Sequence, residues 1–133
     1  NKKIVYIDDY AHHPEEIKST INGIIDSFPQ RKLTVIFQPH LFSRTKDFAK
    51  DFAQSLSQAD ELILLDIYPA REEPIAGVDS KMLLDLCTND SKMIVKNNEL
   101  LSYLKDNKND VVVTLGAGNI SDLVKPIISV LSR

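Results

Sequence analysis

The sequence is poor in the residues that most often build dedicated chemical sites. Its 133 residues include no tryptophan, three histidines and a single cysteine. One cysteine excludes an internal disulfide. Because Cys87 follows the apolar positions Met82, Leu83 and Leu86, we interpret it as a small buried hydrophobe rather than a reactive thiol. The cysteine therefore carries no functional prediction.

Glycine is equally scarce, with four residues at positions 23, 77, 116 and 118. No G-x-x-x-x-G-K-[ST] loop is present to hold a triphosphate, and no G-x-S-x-G elbow or Cys-His pair is present to supply a nucleophile. We expect a chain that binds and orients an anionic small molecule and does no phosphoryl chemistry on its own.

Charge and apolar runs argue against polymeric and lipid partners. A formal net charge of -3 leaves no basic stripe for a run of phosphates, so we expect no nucleic-acid partner. No apolar stretch approaches the roughly 20 residues that span a bilayer, and the first residues lack the order of a signal peptide. With 133 residues, 43% of them hydrophobic, we expect one soluble cytoplasmic domain with no membrane partner.

Short apolar runs rich in β-formers alternate with segments of helical period. The runs lack clean polar alternation, which is typical of strands covered on both faces. They are found at 4–7, 33–37, 62–67, 93–95 and 111–115. The resulting order βαβαβαβαβα predicts an α/β, Rossmann-like three-layer fold, with a mostly parallel sheet of five or six strands and helices on both faces.

Local signals predict where the helices begin. Pro14, followed by two glutamates, is typical of a first helical turn. Ser43 is the predicted N-cap of a helix that continues to Leu56, and Asp79 is the predicted N-cap of a shorter one. Pro126 is expected to disturb the first turns of the last helix.

Polar residues collect directly after the predicted strands, in the segments 8–14, 38–44, 66–77 and 116–119. Ligands of open α/β sheets bind outside the carboxyl ends of the strands, where these segments would meet. Any one segment taken alone is better explained by helix capping and turn formation. Their coincidence along one rim predicts a ligand site there.

The histidines and carboxylates of this rim do not form a recognisable metal site. His12 and His13 are adjacent, so their side chains point in different directions and cannot easily share one ion. Asp8 or Asp9 could join His40, but no further ligand stands at a diagnostic spacing. We expect no metal in this chain.

Arg44 is the most informative cation of the rim. Near a helix start and beside His40, it offers a forked donor to a carboxylate or a phosphate. A solvated surface arginine is the alternative explanation. The Gly-Ala-Gly-Asn sequence at 116–119 is ambiguous in the same way, because glycines before a helix serve close packing as readily as phosphate binding.

Four segments together carry a family resemblance. "DDYAHHP", "FQPHLFSRT", "LLDIYPAREEPIAGVDS" and "TLGAGNI" resemble, in order and spacing, the C-terminal domain of the Mur ligases. The likeness covers essentially the whole chain, 1–133, and is strongest to the members that join L-alanine to UDP-N-acetylmuramate. It implies an ATP-dependent amide ligase of peptidoglycan synthesis.

The resemblance also implies a division of labour between domains. In such enzymes an N-terminal domain holds the UDP-sugar, a central domain carries the phosphate loop and Mg²⁺, and the C-terminal domain closes over them. ATP and Mg²⁺ would then be held mainly by a central domain absent from this chain. We expect the isolated chain to bind no cofactor and to form no amide, with the enzyme's other two domains as its partners.

By resemblance, the substrate L-alanine is surrounded by Tyr10, His12, His40 and Arg44, with Arg44 and an imidazole on its carboxylate. The same likeness turns Asp9 and His13 toward the nucleotide, the carboxylate suiting a ribose hydroxyl. As a catalytic hypothesis, His12 or His13 takes a proton as the amide forms.

One position departs from the family pattern. An arginine commonly follows the histidine of "QPH", and here that position is Leu41. Losing one charge-assisted hydrogen bond would weaken amino-acid binding by ~1.5 to 3 kcal/mol unless Arg44, His40 or another domain compensates.

Three other functions compete with this interpretation. One is the related ligase that reattaches a recycled peptide to UDP-N-acetylmuramate. Another is a non-catalytic Rossmann-like binding module, which the acidic pair Asp8-Asp9 suggests, although the lysine expected after the last strand is replaced by glycine-rich residues at 116–119. The third is a metal-dependent hydrolase built on the Asp/His cluster.

Overall fold

The fold is built on one parallel sheet. A computed structural model describes residues 3–132. The five strands are β1 (Val5–Asp9), β2 (Leu33–Phe37), β3 (Glu61–Leu64), β4 (Ser91–Ile94) and β5 (Val111–Leu115). They lie in the order β1-β5-β2-β3-β4, and every neighbouring pair is parallel. The predicted α/β fold with a parallel sheet is confirmed.

Within the described residues 3–132, six α-helices cover the sheet. They are α1 (Pro14–Ser27), α2 (Phe42–Asp47), α3 (Ala49–Leu56), α4 (Ser80–Leu86), α5 (Asn97–Asp106) and α6 (Val124–Leu131). A 3₁₀ helix, Asn119–Leu123, leads into α6. It stands where Pro126 was expected to disturb the last helix, because proline lacks the N–H that an α-helical turn uses.

Alternate residues of the strands face two separate cores. Val35 and Phe37 of β2 pack in one core with residues of α1, α3 and α4. Ile36, between them, packs in the other core with residues of α5 and α6. The three central strands are buried on both faces, which explains why their sequences lack polar alternation. Helices therefore cover both faces, and the three layers are confirmed.

Two local predictions are confirmed. Pro14 is the first residue of α1, and acidic residues occupy its first turn. Asp79 is the N-cap of α4, and its Oδ1 accepts a hydrogen bond from the Met82 backbone N–H at 2.9 Å. Cys87 is also buried, at 3% exposure, in the core beneath α3 and α4.

The prediction for Ser43 is wrong. The N-cap of α2 is Leu41, and Ser43 lies inside the helix. The single helix expected to continue to Leu56 is interrupted at Phe48, whose φ of -117° and ψ of 20° separate α2 from α3. The local capping pattern did not locate the start of α2, because the acceptor for its first N–H groups is a carboxylate distant in sequence, that of Glu72.

The strand register brings the polar segments to one rim. Asp9 is level with Leu115, Leu115 with Phe37, and Phe37 with Leu64. The loops that follow β1, β2, β3 and β5 therefore leave the sheet side by side. Within residues 3–132, no helix is long and apolar enough to cross a membrane.

Candidate functional site

The loop after β1 is shaped by its own carboxylates. Asp9 Oδ1 accepts a hydrogen bond from the Ala11 backbone N–H at 2.8 Å, and Thr20 Oγ1 donates to Asp9 Oδ2 at 3.4 Å. Asp8 Oδ1 accepts from Thr114 Oγ1 at 2.7 Å. Asp9 therefore holds the turn that leads into α1, and Asp8 joins the end of β1 to β5. Asp9 remains half-exposed, and its two oxygens have acceptor capacity left for a ligand.

Glu16 fixes the backbone at the two adjacent histidines. Its Oε1 accepts from the backbone N–H groups of His12 at 3.3 Å and His13 at 3.1 Å. These two hydrogen bonds hold the pKa of the Glu16 carboxyl below its usual range. His12 Nδ1 lies 3.0 Å from the Tyr10 carbonyl oxygen. Because a carbonyl can only accept, Nδ1 carries a proton in that bond, and Nε2 is the nitrogen of a neutral ring that can accept another.

His40 and Arg44 form a pair at the start of α2. Arg44 Nη1 lies 3.2 Å from His40 Nδ1. A guanidinium only donates, so His40 Nδ1 is the acceptor. Burial lowers the pKa of His40, and the neighbouring charges of Arg44 and His12 lower it further. His40 is therefore a neutral imidazole at pH 7, and the other N–H groups of Arg44 are available to an anion.

Aromatic contacts join the predicted substrate residues into one cluster. The Tyr10 and His12 rings meet edge to face with centroids 5.4 Å apart, and His12 and His40 do so at 6.1 Å. The Tyr68 ring stacks on that of His40, with centroids 5.8 Å apart. Tyr10, His12, His40 and Arg44 are thus brought together, with Tyr10 the most exposed at 69%.

His13 faces a different environment. Its ring lies 5.7 Å from the ring of Phe48, at the break between α2 and α3. Both residues line a groove of about 510 Å³ that runs between α1 and α3. The two adjacent histidines therefore serve two different surfaces. Phe48 was not recognised from the sequence, where it reads as one more position of an apolar helical stripe.

The loop after β3 continues the sheet ladder beyond the strands. The Tyr68 backbone N–H donates to the Pro39 carbonyl at 2.8 Å, and the Leu41 N–H donates to the Tyr68 carbonyl at 2.9 Å. Leu41 adopts a φ of 73°, which is unusual for a residue with a side chain. Such backbone strain costs about 1 to 3 kcal/mol and persists where surrounding contacts impose it, most often at functional sites.

A further contact from this loop was missed by the sequence reasoning. The Glu72 carboxylate accepts from the Ser43 backbone N–H at 3.1 Å through Oε1, and from Ser43 Oγ through Oε2. These hydrogen bonds hold the pKa of Glu72 below its usual range. Glu72 thus supplies at the first turn of α2 the acceptor that Ser43 was expected to provide. No local pattern signals it, because 29 residues separate the partners.

The glycines after β5 serve close packing. A Cβ at Gly116 would lie 2.9 Å from the Gln38 carbonyl, and one at Gly118 would lie 2.6 Å from Gln38 Oε1 and 2.7 Å from Tyr68 side-chain carbons. Gln38 is buried and joins these loops: it donates to Asn119 Oδ1 at 2.6 Å. The packing explanation of this motif is therefore the one that the structure supports.

No metal ligand set is found at this rim. Among residues 3–132, no group of three His, Cys, Asp or Glu side chains is arranged to hold a metal ion. Asp8 and Asp9 instead accept hydrogen bonds from Thr114 and from the turn itself.

The chain is similar to known proteins in sequence. Residues 1–118 match the family described as Mur ligase, glutamate ligase domain. A UDP-N-acetylmuramate–L-alanine ligase of Flavobacterium psychrophilum is 57% identical over 122 residues, which is 92% of this chain and 27% of that protein. The chain therefore spans about a quarter of the length of this curated relative.

Solved structures share the fold. The UDP-N-acetylmuramate–alanine ligase of Thermotoga maritima superposes with a TM-score of 0.71 at 28% identity, over 93% of this chain and 26% of that one. A murein peptide ligase of Psychrobacter arcticus shares the fold, with a TM-score of 0.75 at 20% identity over 96% of this chain and 27% of that one. On the match to its family, the chain belongs to the Mur ligases, as their glutamate ligase domain.

Proposed function

We propose that this chain is the C-terminal domain of a cytoplasmic, ATP-dependent ligase that joins L-alanine to UDP-N-acetylmuramate in peptidoglycan precursor synthesis. The observation that carries the proposal is the Arg44–His40 pair at the carboxyl rim, with His12 and Tyr10 beside it. The 57% identity to a ligase of that name supports the choice of substrate.

The pair is suited to a zwitterionic amino acid. Arg44 presents forked N–H donors that match a carboxylate, while Nδ1 of neutral His40 holds the guanidinium in place at 3.2 Å. Arg44 then takes the role of the arginine that Leu41 replaces. The half-exposed positions of these side chains leave them open to a ligand that arrives at the rim.

His12 is the proposed proton acceptor. In the family reaction the UDP-N-acetylmuramate carboxylate becomes an acyl phosphate, and the amine of L-alanine attacks it through a tetrahedral intermediate that expels phosphate. The nitrogen must lose protons as the amide bond forms. Because Nδ1 of His12 is bonded to the Tyr10 carbonyl, Nε2 is the atom that takes one.

Asp9 and His13 are the proposed nucleotide contacts. Asp9 has acceptor capacity for a ribose hydroxyl, and His13 with Phe48 offers two ring faces at the groove between α1 and α3. ATP and Mg²⁺ would be held mainly by the central domain of the full-length enzyme. ATP supplies the phosphoryl group there, and the side chains of this domain orient its partners and exclude water as the domains close.

The test is amide synthesis by the full-length enzyme, followed by phosphate release and product mass. We expect turnover with ATP, UDP-N-acetylmuramate and L-alanine, and no inhibition by the peptide that a recycling ligase would use. His12→Ala should lower kcat at saturating L-alanine by about 100-fold, the scale of a general base. His13→Ala should instead raise the KM for ATP.

The same assay separates the alternatives. Preferential use of the peptide would assign the chain to a recycling ligase. Amide formation by the isolated chain 1–133 would overturn the domain assignment, and hydrolytic activity without ATP would favour the hydrolase. Unchanged turnover in His12→Ala would remove the proton role of His12.

A further inference from the structure

The segment that carries His40 and Arg44 is held by the loop that follows β3. One side chain of this loop makes a contact that no substrate role explains. Glu72 lies on this loop, half-exposed, with its carboxylate against the first turn of α2. It accepts from both the backbone N–H and the hydroxyl of Ser43. Ser43 immediately precedes Arg44 in the chain.

The turn at Leu41, which the Glu72–Ser43 contact adjoins, determines how Arg44 and His40 face each other. Leu41 is the N-cap of α2 with a φ of 73°, so the chain turns sharply between the ladder at His40 and the helix that carries Arg44. Thr45 closes the turn, with its N–H and its Oγ1 both donating to the Leu41 carbonyl at 3.2 and 2.8 Å. This sharp turn brings Arg44 Nη1 within 3.2 Å of His40 Nδ1.

Leu41 has no side-chain acceptor for the N–H groups that begin a helix. The Glu72 carboxylate supplies one, with a negative charge at the positive end of the helix. Without it, the first turn of α2 would have fewer contacts to hold the strained conformation at Leu41. The direction of the Arg44 side chain depends on that turn.

We propose that Glu72 is a positioning residue, which acts through Ser43 on the first turn of α2 and so sets the place of Arg44 and His40 for the incoming amino-acid carboxylate. The inference rests on the proposed function of this site and adds to it a residue that does not contact substrate. Its effect is expected on the amino acid and not on the nucleotide, because Asp9 and His13 lie on other segments.

The experiment measures steady-state kinetics of the full-length ligase for three variants. Glu72→Ala removes the acceptor, Glu72→Gln keeps one neutral acceptor oxygen, and Ser43→Ala removes only the hydroxyl donor. Glu73→Gln, at the neighbouring exposed glutamate, is the matched control.

We expect Glu72→Ala to raise the KM for L-alanine about tenfold, the scale of losing a charge-assisted hydrogen bond, with kcat reduced less and the KM for ATP unchanged. Glu72→Gln should recover part of the loss, and Glu73→Gln should match the unmodified enzyme. Ser43→Ala should raise the same KM by a smaller factor. In the double variant Ser43→Ala/Glu72→Ala, the KM should not exceed that of Glu72→Ala alone.

Two results would overturn the proposal. One is a Glu72→Ala enzyme with unchanged kinetics. The other is a lowered Tm with unchanged KM in the folded fraction, which would mean that Glu72 only stabilises the domain. An unmodified enzyme that forms no amide from L-alanine would instead refute the proposed function, so the two failures are distinguishable.

Discussion

The two ends of the sheet use carboxylates in different ways. At the amino end, where the strands begin, Glu61 is buried at 2% exposure and accepts hydrogen bonds from Thr34 Oγ1 at 2.9 Å, Asn107 Nδ2 at 3.1 Å and the Tyr103 hydroxyl. Lys32 Nζ lies 3.4 Å from the same carboxylate. The partners of the Glu61 carboxylate all belong to the domain itself, and through Tyr103 they join α5 to the sheet.

At the carboxyl end, Gln38 is buried, but the polar side chains of the proposed site are half-exposed or exposed. Arg44 has a hydrogen bond to His40, and its side chain is half-exposed. Tyr10 is 69% exposed, and Leu41 keeps a strained backbone. The difference teaches that polarity alone does not identify a site. Groups whose hydrogen bonds are completed by the fold stabilise it, and groups left with capacity at a rim are the ones that a ligand can use.

The largest effect expected from this comparison is at Glu61. Glu61→Ala leaves three donors at the amino end without their acceptor, and we expect it to lower the free energy of unfolding by about 3 kcal/mol. Urea denaturation of the chain measures this. The folded fraction of the full-length variant should keep its KM for L-alanine. Glu73→Ala, exposed at the other end, should change stability by less than about 0.5 kcal/mol. An equal loss of stability in Glu61→Ala and Glu73→Ala would contradict the difference proposed between the two ends of the sheet.

The same network has a defined pH signature. Burial raises the pKa of Glu61, but hydrogen bonds from Tyr103 and Thr34 and the charge of Lys32 outweigh it and hold the pKa below its usual range. Its stabilisation is therefore present above pH 4.5, the ordinary value, and is lost as the pH falls below it. Burial and the bond to Glu61 raise the pKa of Tyr103 to about 12, so its contribution is lost as the pH rises above 10. In Glu61→Gln, the free energy of unfolding, measured by urea denaturation across the pH range, should depend less on pH at both the acid and the basic end.

Arg44 should show the opposite behaviour. Arg44→Ala removes a forked donor from the rim, and we expect kcat/KM for L-alanine in the full-length enzyme to fall by about 30-fold, or about 2 kcal/mol. Stability should change by less than about 0.5 kcal/mol, because the side chain is half-exposed.

A second readout belongs to this variant. Without the guanidinium, the pKa of His40 should rise toward its ordinary value, since the charge of Arg44 is one of the causes that lower it. Lys46→Ala, an exposed cation of the same helix, is the control and should leave the KM unchanged. A 30-fold loss in Lys46→Ala as well would show that net charge, and not the Arg44–His40 pair, governs binding.

Much of the fold followed from local pattern. Buried parallel strands are apolar throughout, and helices show their period, so the five strands and the three layers could be predicted. The rim then followed from topology, because parallel strands end at one edge. This is why the segments 8–14, 38–44, 66–77 and 116–119 could be expected together before any distance was known, whereas the choice of Tyr10, His12, His40 and Arg44 within them came from the family resemblance.

What the sequence did not reveal depends on contacts between distant segments. Ser43 was predicted to cap a helix, and the error arose because Glu72, far along the chain, supplies the carboxylate. Phe48 was assigned to a continuous helix, although the helix is interrupted there and the Phe48 ring lies beside that of His13. Gln38 was placed in the polar segment 38–44 without a role of its own, because that role lies in joining the loops after β3 and β5.

Gly118 is the position best suited to test whether stability and ligand binding are separated between the amino and carboxyl ends of the sheet. It lies at the carboxyl rim of the sheet, yet a Cβ there would stand 2.6 Å from Gln38 Oε1 and 2.7 Å from side-chain carbons of Tyr68. We expect Gly118→Ala to cost about 1 to 2 kcal/mol of stability through this overpacking, measured by urea denaturation. Because Tyr68 stacks on His40, its displacement should also lower kcat/KM for L-alanine in the full-length enzyme.

The matched control is Gly23→Ala inside α1, where the added Cβ would meet no atom within 4 Å other than its chain neighbours and the nearby backbone of its own helix. Alanine is expected to stabilise this helix by about 0.5 to 1 kcal/mol. If Gly118→Ala lost stability while the kinetics stayed unchanged, packing and binding would be separable even at this rim. If stability and kcat/KM for L-alanine fell together, the loop after β5 would belong to the site through Tyr68. A phosphate contact of its glycines would not explain the loss, since the substitution leaves the backbone N–H groups of the motif in place.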